Sequence, residues 1–126
     1  MPPNSKPTIY ILEAAAEVSA VIRMVASYGY QMKTSPTLAA LTSDLAKRPC
    51  MAVILDLDSV PLDNRAIRNL ACTFPSVSFF GASRDRFHPE LKDAICYHLF
   101  ACMTKPIDSD ELHFFLKCIR DKFRKE

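Results

Sequence analysis

Residues Cys50 to Asp63, CMAVILDLDSVPLD, decide the fold. Ala52, Val53, Ile54 and Leu55 follow one another without polar alternation, the pattern of a strand buried on both faces. Such strands belong to parallel sheets covered by helices. Asp56 stands where this strand ends. In an open α/β sheet, ligands bind beyond the carboxyl ends of the strands, so an acid there is a candidate site residue by position alone. A strand-end aspartate also caps or turns the next loop, and the rest of the chain has to decide between the two roles.

Outward from this strand the chain alternates between the two periodicities. Before it, Thr8 to Leu12 (TIYIL) is a β-rich run that stops at Glu13. Val18, Val21, Ile22 and Val25 then form one helical stripe, closed by Gly29. Tyr30 to Thr34 alternates as an edge strand does, and Ser35-Pro36 reads as the cap and first turn of a helix with Leu38, Leu41 and Leu45 on its buried face. After it, Asp63 caps a helix with Ile67, Leu70, Ala71 and Phe74 inward, broken by Pro75. Val77 to Phe80 is the fourth strand, ending at Gly81. A fourth helix starts near Pro89, with Leu91, Ala94, Ile95 and His98 on one side, where His98 reads as a packed stripe residue. Leu99 to Met103 is the fifth strand. Asp108 and Glu111 make a capping box before Leu112, Phe115, Leu116, Ile119 and Phe123. Short right-handed crossovers between these elements predict a doubly wound, five-stranded parallel sheet of order 2-1-3-4-5, the flavodoxin-like arrangement, as one α/β domain over residues 1–126 with its core at about 8–123.

Composition narrows the function classes. A chain of 126 residues, 49% hydrophobic, fits one domain with one core. Sixteen basic against fourteen acidic residues, a formal charge of +2, create no field that points to nucleic acid. The basic residues near the end, Arg120, Lys122, Arg124 and Lys125, are interrupted by Asp121 and read as a solvated helix face. No apolar run reaches the length of a membrane span and MPPNSKP is unlike a signal peptide, so a cytoplasmic protein is expected. Five cysteines, an odd number without a C-x-x-C pair, are expected to be buried, reduced thiols.

Glu13, Asp56, Gly81 and Lys105 all fall at the same edge of this sheet. At the switch point between strands one and three, Glu13 meets Asp56. Two adjacent carboxylates call for a cation, supplied by Lys105 or by Mg²⁺. A carboxylate so placed can attack phosphorus and become an aspartyl phosphate.

Over Thr8 to about Phe123 the sequence resembles the receiver domain of bacterial two-component response regulators. The resemblance rests on Glu13, on the apolar strand ending in Asp56 with Pro61 soon after, on Lys105-Pro106, and on the amphipathic last helix. It implies a module, not an enzyme, that takes a phosphoryl group on Asp56 from a sensor histidine kinase or phosphotransfer protein. It also implies Mg²⁺ at Glu13 and Asp56, phosphate contact by Lys105, a cis bond before Pro106, and regulation of a partner or an attached output domain such as an ATPase or DNA-binding module. Homodimerisation through the last helices and strand, Pro89 to Cys118, is a further implication, whereas direct nucleic-acid or membrane binding is not implied.

The departures from that pattern describe a degenerate receiver. The second acid expected after strand one is Ala14. The hydroxyl residue of strand four falls at Gly81, with Ser83 two positions later, and the aromatic residue of strand five is Cys102. Mg²⁺ is therefore expected to bind weakly or not at all and Asp56 to accept phosphate poorly, with Glu17 and Asp58 as less favoured substitutes for the missing ligand. Ala14→Asp with Gly81→Thr would repair both defects. An alternative is an interaction module of the same fold that never takes phosphate. A remote one is a phosphatase of the haloacid dehalogenase type with Asp56 and Asp58 as its D-x-D pair, but that motif belongs on a first strand and here two strands precede it.

Overall fold

A computed structural model describes residues 8–13, 19–48, 50–85 and 89–124. Five parallel strands, β1 (Thr8–Leu12), β2 (Gln31–Ser35), β3 (Ala52–Asp56), β4 (Ser78–Ser83) and β5 (Ala101–Thr104), lie in the order β2-β1-β3-β4-β5. The helices are α1 (Ser19–Ser27), α2 (Leu38–Lys47), α3 (Asn64–Thr73), α4 (Lys92–Tyr97), which follows a 3-10 turn at Pro89–Leu91, and α5 (Ser109–Arg124). This is the predicted doubly wound sheet.

Alternation along the strands sorts the core into two layers. Tyr10, Leu12, Val53, Leu55 and Phe79 pack with Leu41 and Leu45 of α2, Ile67 and Leu70 of α3 and Ala94 of α4. Ile9, Ile11, Ile54, Phe80 and Met103 face the other way, onto Val25 of α1 and Leu112, Leu116 and Ile119 of α5. Every residue of β3 is buried, as an all-apolar central strand requires. Gly29, at φ +88°, ends α1 in a Schellman arrangement: Gly29 N–H donates to Ala26 O and Tyr30 N–H to Val25 O. The side chains of Val18, Val21, Ile22 and Phe123, expected in the stripes of α1 and α5, lie outside the described residues.

Several boundaries differ from the sequence reading. Ser35 is the last residue of β2, held in the ladder opposite Leu12 and accepting from Glu13 N–H, so the cap of α2 passes to Thr37, whose side chain accepts from Ala40 N–H. β4 runs on through Gly81 to Ser83 because β3 pairs with it as far as Asp56 opposite Ala82. β5 starts two residues later than expected, at Ala101. His98 is the C-cap of α4. Asp63 caps α3 as expected, and Asp108 accepts from the N–H groups of Asp110 and Glu111 at the start of α5. The cysteines depart most: Cys72, Cys102 and Cys118 are free and exposed, and only Cys50 among the described thiols is buried. Burial there pushes the Cys50 thiol up to about 12, so it stays protonated.

Candidate functional site

The register of the central strands builds the site. Leu12 pairs with Leu55, so Glu13 and Asp56 leave the sheet side by side, and both are buried. One residue further, Leu57 N–H still donates to Ala82 O, extending the β3–β4 ladder past Asp56 and setting Asp58 against the end of β4. On the other side of β4, Lys105 N–H donates to Ser83 O, which brings the lysine back over the strand ends. The Lys105–Pro106 bond is cis.

Lys105 Nζ lies 2.7 Å from Asp56 Oδ1 and 3.2 Å from Asp58 Oδ2, so one ammonium bridges two carboxylates. Asp56 is 2% exposed and Lys105 15%. The carboxylate of Asp56 is also satisfied from within its own loop: Asp58 N–H donates to Oδ1 at 3.0 Å and the Ser59 hydroxyl to Oδ2 at 2.8 Å. Asp58 is held just as fully, with Ser83 Oγ donating to its Oδ1 and Arg84 N–H to its Oδ2, each at 3.0 Å. A buried carboxylate needs such donors, because an unpaired one would cost several kcal/mol.

The electrostatics follow this geometry. Partial burial alone would raise the Asp58 carboxyl; the Lys105 ammonium, the Arg84 N–H and the Ser83 hydroxyl outweigh it and hold the group below the usual aspartate range. For Lys105, desolvation pulls down while its two carboxylates push up, and the carboxylates win, so the ammonium is held above the usual lysine range. Lys105 is thus charged throughout the neutral range and divided between two partners.

Glu13, Asp56 and Lys105 come to one end of the sheet. Ala14 and Glu17 lie outside the described residues. Gly81 alternates with Phe80 and so faces the α3–α4 side, opposite to Asp56. A Cβ at Gly81 would meet Cys102 Sγ, Leu57 Cδ1 and Leu99 Cδ1, each at 3.2 Å. The space beside Gly81 is therefore filled by apolar packing, and the neighbours would have to give before a threonine fitted there. Asp58 and Ser83, weighed only as substitutes in the sequence, belong to the charged cluster. The signal was present in the unbroken run Phe79–Ser83, which carries β4 two residues past Gly81.

Protein donors already engage the carboxylates that a divalent cation would use. Both oxygens of Asp56 and both of Asp58 already accept from protein donors, and among the described residues no group of three His, Cys, Asp or Glu side chains converges to hold a metal. A Mg²⁺ ion bound to either carboxylate would share it with the lysine and the loop donors and compete with the ammonium for its charge.

No family model and no curated protein matches the chain. Solved structures do. The signal receiver domain of an HD domain-containing protein from Pseudomonas fluorescens is similar at TM-score 0.83 and 16% identity, over 97% of this chain and 100% of that one. A CheY-like response regulator receiver domain protein from Methanospirillum hungatei is similar at TM-score 0.82 and 11% identity, over 97% and 100%. A response regulator from Thermotoga maritima is similar at TM-score 0.77 and 17% identity, over 91% and 98%. At these identities the likeness establishes the fold: this chain has the architecture of response regulator receivers.

Proposed function

We propose that the chain is a receiver-fold regulatory module in two-component signalling that controls a partner or an attached output domain through protein contacts. Phosphoryl transfer to Asp56 from a histidine kinase or phosphotransfer protein is slow or absent in it. The observation that carries this reading is the Lys105 bridge. Asp56 Oδ1 accepts from an ammonium and an N–H and Oδ2 from a hydroxyl, and each of these donors draws charge from the oxygens that would attack phosphorus. In a receiver that works by phosphorylation, Mg²⁺ would neutralise the phosphoryl oxygens; here the Lys105 ammonium already pairs with two of the carboxylates that would bind the metal. This internal pairing favours a module that works without Mg²⁺ and is not an enzyme.

The contact surface in this reading is the α4–β5–α5 face, used by a second copy of the chain. Phe100 and Phe114 are 47% and 63% exposed there, joined edge-on through Phe115. Large exposed aromatics gathered on one edge mark an interaction surface more than scattered ones do. The free thiols suit a reducing, cytoplasmic setting. Incubation with acetyl phosphate and Mg²⁺, read by intact mass, tests the phosphoryl half: the expected spectrum has little or no added phosphoryl group. Stoichiometric labelling lost in Asp56→Asn would overturn the proposal and make Asp58 and Ser83 working parts of a phosphoacceptor site.

A further inference from the structure

Between α3 and α4 lies a groove of about 410 Å³, lined by Asn64, Arg65, Arg68, Asp93, Tyr97 and His98, with Ala94 at its floor. Its walls are tied together. Asn64 Nδ2 donates to Glu90 O at 2.8 Å while Ala94 N–H donates to Asn64 Oδ1 at 2.9 Å, so both polar ends of that amide are consumed in bracing α3 against α4. The groove is therefore set by hydrogen bonds and not by the chance splay of two helices, and its size falls within the range of about 300–1,000 Å³ common for small-molecule sites.

Its charge is unbalanced. Arg65 and Arg68 stand one turn apart on α3, a spacing that puts their side chains on neighbouring tracks. Among the described residues neither guanidinium makes an ion pair or a side-chain hydrogen bond. Asp93 lies on the opposite wall without pairing to either. Half-buried His98 adds an imidazole, and Tyr97, 76% exposed, adds an open aromatic face. Two planar forks with free donors match the oxygens of a phosphate group, and a phenol ring beside them matches a flat heterocycle.

We infer that this groove binds a phosphorylated small molecule bearing an aromatic ring, a nucleotide by chemical class, with Arg65 and Arg68 on the phosphate and Tyr97 stacked on the base. An acidic peptide would use the guanidiniums but has no need of a braced pocket with one ring at its rim.

The test is titration of the ¹⁵N-labelled full chain with AMP and with GMP, beside inorganic phosphate and adenosine as separate arms. Saturable amide shifts at residues 64–68 and 93–98 are expected with at least one nucleotide, and each half-molecule should bind about tenfold or more weakly. Arg65→Gln with Arg68→Gln should weaken nucleotide binding by about tenfold or more. Asp93→Asn, which removes the opposing negative charge, should tighten it by about two- to fivefold, and this gain keeps the inference falsifiable if the double variant folds poorly. Inorganic phosphate binding as well as the nucleotides would overturn the assignment. So would the absence of shifts at millimolar nucleotide, shifts confined to the Asp56 end of the sheet, or affinity unchanged in the arginine and Asp93 variants.

Discussion

The carboxyl end of the sheet and the α3–α4 groove both gather charged side chains, and they differ in whether the protein itself answers the charge. At the sheet end, Lys105 serves Asp56 and Asp58, and every carboxylate oxygen of that pair accepts from a protein donor. In the groove, two guanidiniums face solvent without a partner among the described residues. Charge paired internally stabilises the native fold and competes with a ligand, because a ligand must share or replace bonds already made. Charge left open contributes almost nothing to stability and is free to bind. The position that the fold's topology marks as a binding crevice is thus the more closed of the two.

The largest expected effect comes from breaking the closed region. Lys105→Met leaves two neighbouring carboxylates, one of them buried, without their cation, and should lower unfolding free energy by about 3 kcal/mol, measured by urea denaturation at pH 7. A loss under about 1 kcal/mol would show that solvent already screens the bridge. Next in size, Gly81→Thr should cost about 1–3 kcal/mol, since its side chain enters between Cys102, Leu57 and Leu99. A neutral or stabilising result would mean that this wall is loose and that the site is more easily repaired than its packing implies.

The pH dependence of the bridge gives a smaller, signed effect. Asp58 is held below the ordinary carboxylate range, so its contribution is present above the unfolded value, about 4, and is lost as pH falls through the lower folded value. Lys105 is held above its ordinary range, so its contribution is present below the unfolded value, about 10.4, and is lost as pH rises through the folded one. Stability profiles should show both flanks in the wild type, with Asp58→Asn flattening the acid flank slightly, because solvent screens a pair this exposed. An unchanged acid flank in that variant would remove Asp58 from the cluster. The smallest effect belongs to the open region: Arg65→Gln with Arg68→Gln should change stability by less than about 0.5 kcal/mol, as exposed, unpaired side chains do. A loss above about 1 kcal/mol would show that the groove's charge is structural after all.

The sequence carried the sheet order, the placing of Glu13, Asp56 and Lys105 at one sheet end and the closeness of Asp56 to Lys105, because those follow from apolar periodicity and from which residue ends each strand. It did not carry the roles of Asp58 and Ser83. These depend on the β3–β4 ladder running past Asp56, which is a matter of pairing between strands over twenty residues apart. Gly81 misled for a related reason. It read as the end of a strand and the site of a missing hydroxyl, whereas it lies inside β4 where three side chains leave little room for a Cβ. Ser35 likewise has the chemistry of a helix cap, and only the ladder to β1 takes it into a strand. The groove was illegible for want of any motif: Arg65 and Arg68 look like solvent-facing residues of an amphipathic helix until α4 is placed beside them.

At the centre of this account, Lys105 pairs with Asp56 and Asp58 at the sheet end and competes there with a divalent cation and phosphoryl group. Titration of the ¹⁵N-labelled chain with beryllium fluoride in the presence of Mg²⁺, following the amides of Glu13, Asp56, Asp58 and Lys105, tests it most directly. The account predicts no saturable shift at those amides at millimolar Mg²⁺. Saturable, stoichiometric shifts at all four, absent in Asp56→Asn, would contradict it.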